Sequence, residues 1–135
     1  MTAGGGAMRH ERHFSIAEAE RTLARWRAEI ERMAELARRL SARGFDVTTG
    51  QYRPGHHPDH LGPYPPEFLA LSEIVARLHR EGILVKGLEE GLVDFPHRRA
   101  NGEEVYLCWK VGEPRLAYWH PLDTGFAGRR PLDEL

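Results

Sequence analysis

His120 and two aspartates, Asp94 and Asp123, are the residues of this 135-residue chain best suited to proton transfer, with Arg129 and Arg130 close behind them. An imidazole beside a carboxylate is the least that general acid–base work needs, because the carboxylate fixes the tautomer and supports the imidazolium. His120 ends a predicted strand and Asp123 follows in a turn. Asp94 lies in the run Gly91-Leu92-Val93-Asp94-Phe95-Pro96 on another strand. Ends of antiparallel strands converge, so these groups can meet. The segment Gly125-Phe126-Ala127-Gly128-Arg129 can wrap backbone N–H groups and a guanidinium around an anion. With Trp109 as a stacking surface, Asp94, Trp109, His120, Asp123 and Arg129 form the candidate ligand-binding set, expected to take a small anion or a divalent metal. Structural roles compete for the same residues: Asp94 can cap a turn, His120 can satisfy a carbonyl, and the glycines can serve sharp bends.

A second concentration of donors is His56-His57-Pro58-Asp59-His60. Imidazoles this dense bind Zn²⁺ or Ni²⁺, but the spacing fits no standard zinc module and no second ligand pair accompanies it. A solvated loop is expected there, with no dedicated metal and no cofactor. Cys108, the lone cysteine, can form no internal disulfide, and within an apolar strand it reads as an inert core thiol. The chain holds no phosphate-binding glycine loop, dinucleotide fingerprint, nucleophile elbow or HExxH helix.

A net charge of −1 gives no overall pull toward nucleic acid or an anionic membrane. The cations are arginines apart from Lys86 and Lys110, a bias spread over every segment and read as compositional. No apolar run resembles a signal-peptide core or spans a bilayer. A cytoplasmic protein is expected, without a nucleic-acid or membrane partner.

The elements that must position the candidate residues follow from periodicity. Residues 1–12 are polar, Gly-rich and aperiodic, and predict a disordered tail before a single domain over 13–135. Ser15 and Glu18 make a capping box. Ile16, Ala19, Leu23, Trp26, Ile30, Met33, Ala37 and Leu40 then alternate three and four apart, the seam of a coiled-coil-like helix about 40 Å long that stops at Gly44. Residues 45–64 form a Pro/His loop. Pro65-Pro66-Glu67 opens a second helix carrying Phe68, Leu71, Ile74, Val75 and Leu78, which closes at Gly82. The two helices predict an antiparallel hairpin over 13–82. The second is the shorter, so part of the seam is expected to pack against another copy in a homo-oligomer.

From residue 83 to 135 the period becomes two. Strands are predicted over Ile83–Leu88, Gly91–Pro96, Val105–Lys110 and Leu116–His120, with Asn101-Gly102 as a hairpin turn and a Gly/Arg loop to close. The fold class is therefore α+β, a helical hairpin followed by a small antiparallel β-meander. A two-residue turn at Gly112-Glu113 puts Leu116, Tyr118 and His120 on the face of Val105, Leu107 and Trp109, making Trp109 and Tyr118 core residues. A slip of one residue exchanges these partners.

The run Val85-Lys86-Gly87-Leu88-Glu89-Glu90-Gly91-Leu92-Val93-Asp94-Phe95-Pro96 resembles a family of uncharacterised prokaryotic proteins, the domain of unknown function 2203. Tyr106-Leu107-Cys108-Trp109, Tyr118-Trp119-His120, and Gly125 through Leu132 are similar to it too, as is the Phe14-Ser15 start of the long helix. The Pro/His loop looks like an insertion. The resemblance supports the architecture and implies no activity. On the residues alone, a self-associating binding protein is expected. The alternative is a small hydrolase- or lyase-like enzyme using the His/Asp/Arg cluster, dependent on a metal or an anion.

Overall fold

The computed structural model describes residues 8–58 and 64–135. Residues 1–7 of the predicted tail and His60 of the His-rich loop lie outside them. The architecture is α+β, a long helix and a shorter one packed with antiparallel strands.

Helix α1 (Ile16–Ala42) begins at the capping box: the Glu18 N–H donates to Ser15 Oγ at 3.0 Å and the Ser15 N–H to Glu18 Oε1 at 2.8 Å. It ends at Arg43, where Gly44 takes a φ of +82° that a side chain would resist. Along the seam Ala19, Leu23, Ile30, Met33, Ala37 and Leu40 are buried, and Ile16 and Trp26 are partly so. What buries them belongs to the same chain: Leu71, Ile74 and Leu78 of α2 (Pro66–Arg80) and one face of a sheet. Arg25 pairs with Glu81, Glu29 with Arg77 and Arg43 with Glu67, so the start of α1 lies beside the end of α2. Most of the seam is therefore covered within the chain itself.

The predicted loop after α1 contains a small ladder that β-propensity does not announce. Strands β1 (Phe45–Asp46) and β2 (Gln51–Tyr52) pair antiparallel, anchored because the buried Phe45 ring meets Tyr52 and Phe68, each at 4.9 Å between centroids.

The main sheet is a five-stranded meander in chain order: β3 (Leu84–Gly87), β4 (Leu92–Arg98), β5 (Glu104–Lys110), β6 (Tyr118–Pro121) and β7 (Arg130–Pro131). The last strand arises within the predicted Gly/Arg loop and pairs with β6. Gly91, at φ +61°, lets β4 start under α1; a Cβ there would collide with Val111 and come into contact with Ala34. Beyond the start of β3, where Leu84 pairs with Asp94, the Phe14 N–H donates to the Pro96 carbonyl at 2.7 Å. Proline is tolerated at this point because its missing donor falls on an edge.

Alternation gives the sheet two distinct faces. Val93, Phe95, Val105, Leu107, Trp109 and Trp119 turn toward α1 and are essentially inaccessible. Asp94, Tyr106, Cys108, Tyr118 and His120 take the other face. The return strand corrects the two-residue-turn register: Leu107 faces Trp119, Tyr106 faces His120, and Cys108 faces Tyr118. The connection runs from Val111 to Ala117, folded back by Trp109 Nε1 donating to the Glu113 carbonyl at 3.1 Å, and the longer loop shifts the pairing. The core place expected for Tyr118 passes to Trp119, and Tyr118 is 36% exposed.

This division of labour is testable by truncation. Trp109→Ala should cost about 3–5 kcal/mol in chemical denaturation, whereas Tyr118→Ala should cost less than about 1 kcal/mol. Equal losses would mean that the two rings share one face.

Candidate functional site

The polar face gathers chemistry because its register does. Asp94 on β4 lies directly opposite Cys108 on β5, and His120 on β6 lies opposite Tyr106, two residues along β5 from Cys108. All three donors are buried: Asp94 is 1% exposed, Cys108 0% and His120 2%. A carboxylate oxygen, the Cys108 Sγ and a His120 ring nitrogen lie within 4.8 Å of one another, the one such trio of metal-capable donors among the described residues.

Asp94 Oδ2 is 3.1 Å from His120 Nε2 and 3.1 Å from Lys86 Nζ, whereas buried Oδ1 has no hydrogen-bond partner among the described residues. His120 Nδ1 donates to the Pro121 carbonyl at 2.7 Å. A carbonyl only accepts, so that nitrogen keeps its proton. Nε2 can then donate to Asp94 only as imidazolium. Burial is the largest influence on the ring and opposes its charge. The hydrogen bond and charge of Asp94, with the Pro121 carbonyl, outweigh it, and the pKa of His120 is raised. Burial first, and then the Asp94 charge, push the Cys108 thiol far above the usual thiol range. The thiol is protonated and poorly nucleophilic.

Tyr106 walls the site on one side. Its ring meets the His120 ring edge-on at 5.4 Å, Lys86 Nζ sits 4.1 Å from its centroid, and its hydroxyl shares a 2.6 Å hydrogen bond with His10 Nε2.

Of the residues singled out by sequence, the structure brings together Asp94 and His120. Trp109 is on the opposite face, in the core. Asp123 is exposed in the turn after β6 and has no ion pair among the described residues. Arg129 turns to Glu113, Nη2 reaching its two carboxylate oxygens at 2.9 and 2.7 Å, with its guanidinium between the rings of Tyr118 and Phe126. Arg130 lies against Trp119. The exposed His56 and His57 each donate from Nδ1 to a neighbouring carbonyl, of Pro54 and Pro58. Cys108, Lys86 and Tyr106 are the members that sequence reasoning left out. The one-residue register slip was the signal that would have put Cys108 and Tyr106 on the face of His120.

The sequence profile of a family described as an uncharacterised conserved protein, DUF2203, matches residues 12–132. No curated protein and no solved structure matches the chain.

The segment that leads into α1 is tied to this face. Glu104 accepts the backbone N–H groups of Arg9 at 2.8 Å and His10 at 3.0 Å, and His13 Nε2 at 2.8 Å. Burial is the largest influence on its carboxyl and raises the pKa, but these donors and the nearby His10 outweigh it and the net shift is downward. A lowered folded-state pKa stabilises fully above the ordinary value of 4.5, and that contribution is lost as pH falls through the folded value. Glu104→Gln should therefore cost about 1–3 kcal/mol near neutrality and flatten the stability curve below the ordinary glutamate pKa. Acid limbs of equal slope in the two proteins would show that Glu104 does not anchor the segment.

Proposed function

The chain belongs to the DUF2203 family, and for this member we propose a divalent transition-metal-binding protein whose ion is held by Asp94, Cys108 and His120. The observation that carries this reading is the convergence of three chemically different donors from three neighbouring strands, with a buried carboxylate oxygen left unpartnered. Buried polar atoms are nearly always satisfied, and Asp94 Oδ1 is the one acceptor among the buried unpartnered side-chain atoms of the described residues, the others being the N–H donors of Trp26, Arg77, Trp119 and Arg129.

The geometry suits coordination. Two ligands each about 2.0 Å from a tetrahedral metal lie about 3.3 Å apart, close to the 3.1 Å between Asp94 Oδ2 and His120 Nε2. The Pro121 carbonyl holds the proton on Nδ1, which leaves Nε2 as the ligating nitrogen, the usual outer-shell arrangement of a metal-bound histidine. Thiolate, imidazole and carboxylate together suit Zn²⁺, Co²⁺ or Cu²⁺ better than the all-oxygen preference of Ca²⁺ or Mg²⁺. On coordination the metal replaces the thiol proton and the Nε2 proton. The same features weigh against unaided acid–base or nucleophilic catalysis, because both ring nitrogens are engaged, the thiol is protonated and the donors lack contact with solvent.

Chelator-stripped protein titrated with Co²⁺ should bind one ion per chain and develop a thiolate charge-transfer band. Zn²⁺ should raise its melting temperature. Cys108→Ser, nearly isosteric, should abolish the band and weaken binding more than about tenfold, with unchanged circular dichroism. Simultaneous replacement of His56, His57 and His60 by alanine should leave both unaffected. Absence of binding, or loss confined to the triple variant, would overturn the reading.

A further inference from the structure

Lys86 is the one member of the Asp94 cluster that reaches it from solvent, pairing with Oδ2 at 3.1 Å. It sits on β3, the edge of the sheet, at a β-bulge: Val85 pairs with Val93 and Gly87 with Leu92, so Lys86 is the extra residue without a partner. Bulges re-aim side chains, and this one sends an ammonium across the Tyr106 ring onto Asp94. The lysine side chain is 38% exposed, whereas the Asp94 side chain it reaches is 1% exposed. The ammonium thus stands between solvent and the buried donors.

We propose that Lys86 is the gate of the metal site, a tethered ammonium that occupies the cationic position on Asp94 until a divalent ion from solvent displaces it. The inference rests on the metal reading above and adds to it the competitor that sets the threshold for binding. The charges require displacement. A divalent ion with one thiolate, one carboxylate and a neutral imidazole is balanced, so the ammonium has no net negative charge left to answer. Its exposed stem and edge position give it a free path outward. While the ammonium rests on Oδ2, that oxygen and the position beside it are closed to an incoming ion. The apparent dissociation constant is therefore multiplied by the ratio of total to open protein.

The chain has two lysines, Lys86 and Lys110, which makes a direct readout practical. Lys110 lies on the same face, near Phe126, and serves as the charge-matched control. Folded protein is exposed to an amine-acylating reagent with and without saturating Zn²⁺, and each lysine is followed by mass spectrometry. Zn²⁺ should speed acylation of Lys86 severalfold and leave Lys110 unchanged. In parallel, Lys86→Met and Lys86→Gln should tighten Co²⁺ binding by about three- to tenfold, and Lys110→Met should shift it less than twofold. Wild-type protein that binds Co²⁺ while Lys86 reacts no faster with metal, or while both Lys86 variants bind equally or more weakly, overturns the gate and leaves the metal site standing. Failure of wild type and Lys86 variants alike to bind Co²⁺ removes the site itself, and the gate with it.

Discussion

A carboxylate taken out of water must be answered by nearby charge and donors, and the polar half of this sheet is organised around that demand at Asp94. The side chain is essentially inaccessible, and the cost of leaving such a group uncompensated is several kcal/mol. His120 and Lys86 both converge on Oδ2, the Pro121 carbonyl fixes the imidazole, and Tyr106 fills the space beside them. The compensation is incomplete, since Oδ1 remains without a partner among the described residues. Apolar residues in these positions would pack at lower cost, so the arrangement is poorly accounted for by stability alone.

The opposite face explains why the cluster can exist. α1 lies across Val93, Phe95, Leu107, Trp109 and Trp119, and this one apolar layer carries most of the core. Strand alternation then forces the intervening residues away from the helix whatever their chemistry. Asp94, Cys108 and His120 are not recruited individually. They are the residues left over on adjacent strands once the apolar face is satisfied, and the ladder between β4, β5 and β6 sets their spacing to within an ångström or two. A site built on strands in this way is held more rigidly than one built on loops.

Local signals were legible in the sequence where they are strong. Ser15 with Glu18, Gly44, the Pro65-Pro66 start and the Asn101-Gly102 turn each have a single physical reading, and the structure places elements accordingly. The failures come where distant residues decide. The register of β6 depends on a connection tied back by Glu113, and Lys110 N–H bonding to Glu113 Oε1 at 3.0 Å is not a pattern that composition reveals. β1, β2 and β7 are two residues each and exist because Phe45, Tyr52 and the β6 edge give them partners. Arg9 and His10 read as tail residues, yet Glu104 binds their backbone across more than ninety positions of chain. The helix seam was read as apolar and is buried along most of its length, with α2 and the sheet in the same core; periodicity reports that a stripe is buried and not against what.

Cys108 shows how register bears on function. On an apolar-looking strand, Tyr106-Leu107-Cys108-Trp109, a thiol is taken for core filling, and burial alone supports that reading. Register changes its meaning: opposite Asp94 and diagonal to His120, the sulfur faces a carboxylate and an imidazole rather than leucines. There the neighbouring carboxylate and the lack of water both oppose ionisation, so the thiol has no reactivity of its own to offer. A divalent cation reverses both effects, because it supplies the positive charge that a buried thiolate and carboxylate lack and takes the place of their protons. On the metal reading, the cluster's chemistry turns on which cation Asp94 holds. An ammonium leaves the sulfur inert, whereas a metal makes all three side chains donors in one centre.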